Sequence, residues 1–164
     1  MSATIALFDS WRGRYGDNPR ALSERMAVSH PDIRRVWVLE EGQPVPDGVT
    51  AVKPFSAAHV YYMRRADLVF ANNQMPNIYR KARRTRYVQT WHGGGALKKV
   101  SWDATAQLSE RYLRNFSRDV KFWDHLLTTS PIATEILRRA FRYDGDVIET
   151  GHPRTDLLIE QSRP

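Results

Sequence analysis

Cysteine is absent from the 164-residue chain, which excludes a disulfide framework, a thiolate nucleophile and a Cys-ligated zinc site. That usage suits a cytoplasmic protein. No apolar run approaches the ~20 residues that a spanning helix needs. The N-terminus, Met1 to Asp9, also lacks a basic segment followed by a long apolar one. Any membrane contact is therefore expected to be peripheral. The chain shows no internal repeat, no low-complexity tract and no long Pro/Gly/Ser linker. Metal-ligand spacing such as His-Glu-x-x-His and RNA-binding signatures are missing too, so neither a metal nor a cofactor is expected.

Acidic residues are under-supplied: 18 Asp+Glu face 25 Lys+Arg, for a formal charge of +7. Such a surface attracts anions, whether nucleic acid, acidic lipid or phosphorylated metabolites, and charge alone does not choose among them. The composition is 41% hydrophobic and 26% charged, which fits one soluble globular domain over residues 1–164. The clusters Arg80-Lys81-Ala82-Arg83-Arg84 and Arg138-Arg139 could meet phosphate backbone or anionic lipid, but a charge run is more often a solvated face. Trp11, Trp37, Tyr61, Tyr62 and Trp102 are scattered among apolar neighbours, which favours core or rim packing over base stacking.

Short β-rich runs alternate with helix-compatible stretches, a pattern that predicts an α/β, Rossmann-like parallel sheet with helices on both faces. Strands are expected near Ile5 to Phe8, Val36 to Leu39, Val49 to Val52, Leu68 to Ala71, Tyr87 to Trp91, Leu126 to Thr128 and Val147 to Glu149. Asn18-Pro19 reads as an N-cap followed by proline at the first helical position, so a helix is expected from Pro19 to Ser29. Ser130-Pro131 repeats that signal, with Ile132, Ile136, Leu137, Ala140 and Phe141 as its apolar stripe. A third helix is expected over Thr105 to Arg118, where Leu108, Tyr112, Leu113 and Phe116 fall at helical spacing. The segment Glu40 to Gly48 is a surface turn.

Three loops follow expected strands and would open on one edge of a parallel sheet, where α/β proteins usually bind ligands. The first, Asp9 to Asn18, carries Arg12, Gly13, Arg14, Gly16, Asp17 and Asn18 into a helix whose free N–H groups can hold an anion. It reads equally well as an ordinary capped connection. The second, His92 to Lys99, sets a histidine before Gly93-Gly94-Gly95 and Lys98-Lys99. A neutral imidazole is suited to accept a proton near neutral pH, whereas a lone histidine at a strand end is often merely hydrogen-bonded to backbone. Three glycines cost backbone entropy that a structural turn seldom needs, and they favour the functional reading. The third, Gly151-His152-Pro153-Arg154-Thr155-Asp156, offers a guanidinium able to fork onto phosphate and a carboxylate. Its plain reading is a Gly-Pro turn that starts a last helix, with Asp156 near the positive end of the dipole.

In order, Gly16-Asp17-Asn18-Pro19-Arg20, Gln89-Thr90-Trp91-His92-Gly93 with Leu97-Lys98-Lys99, Trp123-Asp124, Ser130-Pro131 and Gly151-His152-Pro153-Arg154-Thr155-Asp156 resemble the CDP-glycerol glycerophosphotransferase family. These are teichoic acid primases and polymerases of bacterial wall-polymer synthesis. The resemblance spans nearly the whole chain. It implies one half of a GT-B architecture, two Rossmann-like domains facing a cleft, and transfer of glycerol phosphate from CDP-glycerol to a hydroxyl of a lipid-linked acceptor.

By that resemblance His92 is the expected catalytic base. Gly16, Asp17, Asn18, Arg20, Trp91, Gly93, Gly94, Lys98, Arg154 and Asp156 are the candidate substrate-binding residues. Gly94-Gly95-Ala96 replaces a common Thr-Pro, which loosens the loop and leaves the acceptor open, and His152 stands where the family commonly has Tyr, so no catalytic role is assigned to it. Family members continue into a second half that holds most CDP-glycerol contacts, and this sequence stops about ten residues past the Gly-x-Pro-Arg motif. The expectation is therefore an acceptor-side half, inactive by itself, at the inner face of the cell membrane. A related polyol-phosphate or sugar transferase half is a second reading. A non-catalytic basic module that holds anionic polymer or an anionic membrane is a third. Generic nucleic-acid binding rests on charge alone, and no specific nucleic acid is expected.

Overall fold

The computed structural model describes residues 3–93 and 98–156. Seven strands form one sheet: β1 (Ile5–Asp9), β2 (Arg34–Val38), β3 (Val49–Val52), β4 (Leu68–Ala71), β5 (Arg86–Gln89), β6 (His125–Thr128) and β7 (Asp146–Glu149). Their order is β3-β2-β1-β4-β5-β6-β7, and every neighbouring pair is parallel. The chain thus winds outward from β1 to one edge, returns, and winds to the other. The point of reversal lies between β1 and β4, where open α/β sheets place ligands at the carboxyl ends of their strands.

Alternation along the central strands builds two cores. Leu7, Val36, Val38 and Val69 face one side and Ala6, Phe8, Trp37 and Leu39 the other. On the second side Phe8 stacks between Trp37 and Phe70, with centroids 5.4 and 5.1 Å away. The helix α1 (Asp17–Ser29) covers this face with Leu22 and Met26, and its Ser23 hydroxyl accepts the Trp37 indole N–H at 2.9 Å. The first side is covered by α2 (Ala57–Arg65), α3 (Glu110–Val120) and α4 (Pro131–Phe141) through Met63, Phe116 and Phe141. Burying each such side chain contributes roughly 1.5–3 kcal/mol.

All seven strands lie where the sequence places them, within two or three residues. Three helical details differ. The N-cap of α1 is Gly16, which makes no side-chain cap bond, and Asn18 sits inside the helix with its amide committed elsewhere. The third expected helix begins at Glu110 because the Ser109 hydroxyl accepts the Tyr112 N–H and stops it there. Ahead of it, Ser101–Gln107 is a 3-10 segment and Leu108 is extended. The helix α2 was not anticipated. Its start signal is Ser56, whose hydroxyl accepts the His59 N–H at 3.1 Å.

Candidate functional site

The loops that follow β1, β4, β5 and β7 meet at one edge of the sheet. After β1 the chain turns sharply, with Trp11 (φ 50°), Arg12 (φ 58°) and Gly13 (φ 122°) in succession in left-handed backbone. Asp17 (φ 60°) adopts it again as α1 begins. Non-glycine residues in this region cost about 1 kcal/mol or more each, and the surrounding contacts hold them there. Trp11 is fixed at both ends. Its N–H donates to the Asn72 side-chain oxygen at 3.0 Å, and its indole N–H donates to Asp17 Oδ2 at 2.9 Å.

The strand β5 stops at Gln89, and two residues later Trp91 has φ 48°. The Gln89 side-chain oxygen accepts the Trp91 N–H at 3.0 Å. The carbonyls of Thr90 and Trp91, turned away from the ladder, accept from Asn18 Nδ2 at 3.2 and 3.0 Å. Because carbonyl oxygens only accept, the amide must point its nitrogen at them. Asn18 is fully buried. The same nitrogen lies 3.1 Å from His152 Nδ1, and Asn18 Oδ1 accepts the Arg154 N–H at 3.4 Å. One amide on α1 therefore ties together the loops after β5 and β7.

His92 stands beyond this knot, with its ring 4.4 Å from that of Trp11 and 4.2 Å from that of Trp91, centroid to centroid. Its Nδ1 lies 2.8 Å from the Asn72 carbonyl oxygen. The carbonyl can only accept, so Nδ1 carries the proton and the lone pair is left on Nε2. Among the described residues Nε2 has no hydrogen-bond partner. Burial lowers the pKa of His92, and the cations Lys98 and Arg154 push the same way against the Asn72 bond and the Asp17 charge. The ring is thus kept neutral, with a basic nitrogen of fixed tautomer.

Arg154 closes the assembly. Its Nη1 pairs with Asp17 Oδ1 at 2.6 Å and its Nη2 donates to the His92 carbonyl at 3.0 Å. His152 Nδ1 lies against the Asn18 amide nitrogen, whose two protons point to the Thr90 and Trp91 carbonyls, and the other ring nitrogen is Nε2. That nitrogen is buried without a partner among the described residues. Burial, with Arg154 next, lowers its pKa as well.

Of the residues singled out from sequence, Asp17, Asn18, His92 and Arg154 come together. Gly16 adjoins them, and a Cβ there would meet nothing within 4 Å. Gly93 is half-buried beside Trp91. Trp91 is a wall: one side of its ring packs into the core against Phe141 at 4.6 Å, while the ring also lies against His92 and the backbone carbonyl holds Asn18. Lys98 is exposed and acts through its charge on His92. Arg20 is turned away, paired with Glu24 at 2.8 Å on the outer face of α1. Asp156 is exposed at the end of a 3-10 turn over Pro153–Thr155, where its N–H donates to the Pro153 carbonyl and its carboxylate makes no hydrogen bond among the described residues. Gly94 lies outside the described residues.

Trp11, Asn72 and Thr90 were not picked out as site residues. Asn72 directly follows β4 on the same sheet edge, and that position was the available signal. No group of three side chains suited to hold a metal ion occurs among the described residues.

The model of the CDP-glycerol:poly(glycerophosphate) glycerophosphotransferase family matches residues 1–163. The chain belongs to this family. It is 32% identical over 161 residues to a teichoic acid poly(glycerol phosphate) polymerase of Bacillus subtilis, covering 93% of this chain and 21% of that protein. It is 34% identical over 164 residues to a teichoic acid glycerol-phosphate transferase of Staphylococcus aureus, covering 94% and 42%. Among solved structures, the wall teichoic acid polymerase TagF soaked with CDPG superposes with a TM-score of 0.89 at 30% identity, over 98% of this chain and 42% of that one. This glycerophosphotransferase-family chain thus spans less than half the length of these relatives, and its sheet corresponds to one half of the GT-B fold. No described helix is long and apolar enough to cross a membrane.

Proposed function

We propose that this chain forms the acceptor side of a glycerol-phosphate transferase, with His92 as general base. In this reading Nε2 takes the proton of an acceptor hydroxyl as its oxygen attacks the glycerol-bearing phosphorus of CDP-glycerol. The bond between the two phosphorus centres through oxygen breaks, and CMP leaves. The observation that carries the reading is the Nδ1 bond to the Asn72 carbonyl, which leaves the lone pair on Nε2. Lys98 and Arg154 would supply positive charge to the developing phosphoryl oxygens, the larger part of catalysis in such transfers. The acceptor would be a lipid-linked wall polymer, met at the inner membrane surface, which a protein of charge +7 is suited to approach. Most CDP-glycerol contacts would come from a second half.

The test is CMP release from CDP-glycerol with a polyol-phosphate acceptor, the chain being joined to a donor-binding half. His92→Ala should lower the rate by about 10²–10⁴, the usual contribution of a general base. A rate within a few-fold of the parent would refute the assignment. The 164-residue chain alone is expected to release no CMP.

A further inference from the structure

A second cavity, of about 460 Å³, opens beside the His92 site on the α2/α3 side of the sheet. Its size is typical of small-molecule pockets. Its floor is Asp9, the last residue of β1, and part of its wall is His59 of α2. Both are almost wholly buried, at 4% and 1% exposure, and Asp9 Oδ1 and His59 Nε2 have no hydrogen-bond partner. Unpaired buried polar atoms are costly, and in native structures they call for a specific account.

Their chemistry is defined. His59 Nδ1 accepts the Phe55 N–H at 3.0 Å, so its proton is on Nε2, and burial pushes its pKa down to about 4, which leaves it a neutral donor. Burial pushes Asp9 up to about 7 against the Arg12 charge and the backbone N–H groups of Gly13 and Arg12. A fixed N–H donor beside a carboxyl oxygen matches hydroxyl groups, each of which donates and accepts. Arg12 and Arg111 also line the cavity, are exposed, and have no carboxylate partner among the described residues. Two unpaired guanidiniums fit a phosphate. Tyr112 and Met75 add apolar wall for a carbon chain.

We infer that this cavity binds a polyol-phosphate unit of the acceptor chain, its hydroxyls on Asp9 and His59 and its phosphate on Arg12 and Arg111. The inference rests on the acceptor reading above. It extends that reading to a second subsite, reached along the loops that carry Trp11 and Asn72 to His92.

The experiment is titration of the 164-residue chain, without donor nucleotide, followed by backbone amide NMR shifts. The probes are glycerophosphoglycerol, sn-glycerol 3-phosphate and inorganic phosphate. The expected result is saturable binding in that order of decreasing affinity, with shifts at Asp9, Arg12 and His59. His59→Phe should weaken glycerophosphoglycerol at least tenfold. Arg111→Ala, at an exposed position that folding tolerates, should do the same. Equal affinity for all three probes, absence of saturable binding at millimolar concentration, or unaltered binding by Arg111→Ala would overturn the proposal. Since no transfer is measured, these outcomes are independent of whether His92 is the base.

Discussion

Asn18 Nδ2 donates to the carbonyl oxygen of Trp91 at 3.0 Å, although 73 residues separate the two. The contact orients His92, because the Trp91 carbonyl lies in the same peptide plane as the His92 nitrogen and Cα. Asn18→Ala leaves the Thr90 carbonyl without its side-chain donor and the Trp91 carbonyl with only the Thr90 hydroxyl at 3.3 Å, and should destabilise the fold by about 1–3 kcal/mol, the cost of an unpaired buried group. Urea denaturation checks this. A loss below about 0.5 kcal/mol would mean that water replaces the amide freely.

Arg154 and Asp17 pair at 2.6 Å with the guanidinium 37% and the carboxylate side chain 7% exposed, so loss of the arginine strands a largely buried carboxylate and takes a donor from the His92 carbonyl. Arg154 helps hold the pKa of His92 down, after burial has done most of that work. Arg154→Ala should therefore raise the His92 pKa and also lower the melting temperature. Imidazole NMR titration reads the first, and a fall in pKa would contradict the arrangement.

Gly13 is irreplaceable on two independent grounds. Its φ of 122° disfavours any side chain, and an added Cβ would lie 2.7 Å from Glu40 Cγ and 3.1 Å from Glu40 N. Gly13→Ala is expected to cost about 1–3 kcal/mol. It should also shift the amide signals of Trp11 and Arg12, the neighbours whose left-handed backbone depends on this turn.

With His92 in its proposed role as base, the pH dependence of transfer follows from the direction of its shift. A base must be unprotonated, so the rate falls as acid protonates it. Because burial lowers the pKa, that acid limb should lie below the ordinary imidazole value near 6.5. The measurement is the pH profile of kcat/KM for the chain joined to a donor-binding half. An acid limb above that value would show that His92 is not desolvated as this structure has it, or is not the base.

The strands were legible because β-branched and aromatic runs such as Val36-Trp37-Val38 stand between turn residues, and the pleat sends alternate side chains into two cores. Boundaries moved where pairing overrode composition: β2 begins at Arg34 because that residue registers with Ile5. The helix α2 was hidden because its exposed Tyr61 and buried His59 blur the apolar stripe. The histidine and its loops were legible as a motif, and their cohesion was not. Asn18 carries the same letter whether it caps its own helix or bonds loops four and six strands later in the count. Only the fold, which brings α1 beneath the ends of β5 and β7, distinguishes the two. Asn72 likewise contributes a backbone carbonyl, a group every residue possesses and no sequence pattern announces.

The tie between α1 and the loop after β7 also sets an order in time. Asn18 and Asp17 are made early, yet their partners His152 and Arg154 emerge from the ribosome more than 130 residues later. Until then the nascent chain can assemble β1 to β6, but Asp17 lacks its cation and the His92 carbonyl lacks its donor. The ties that close the loops around His92 are thus completed only after the sheet that supports them.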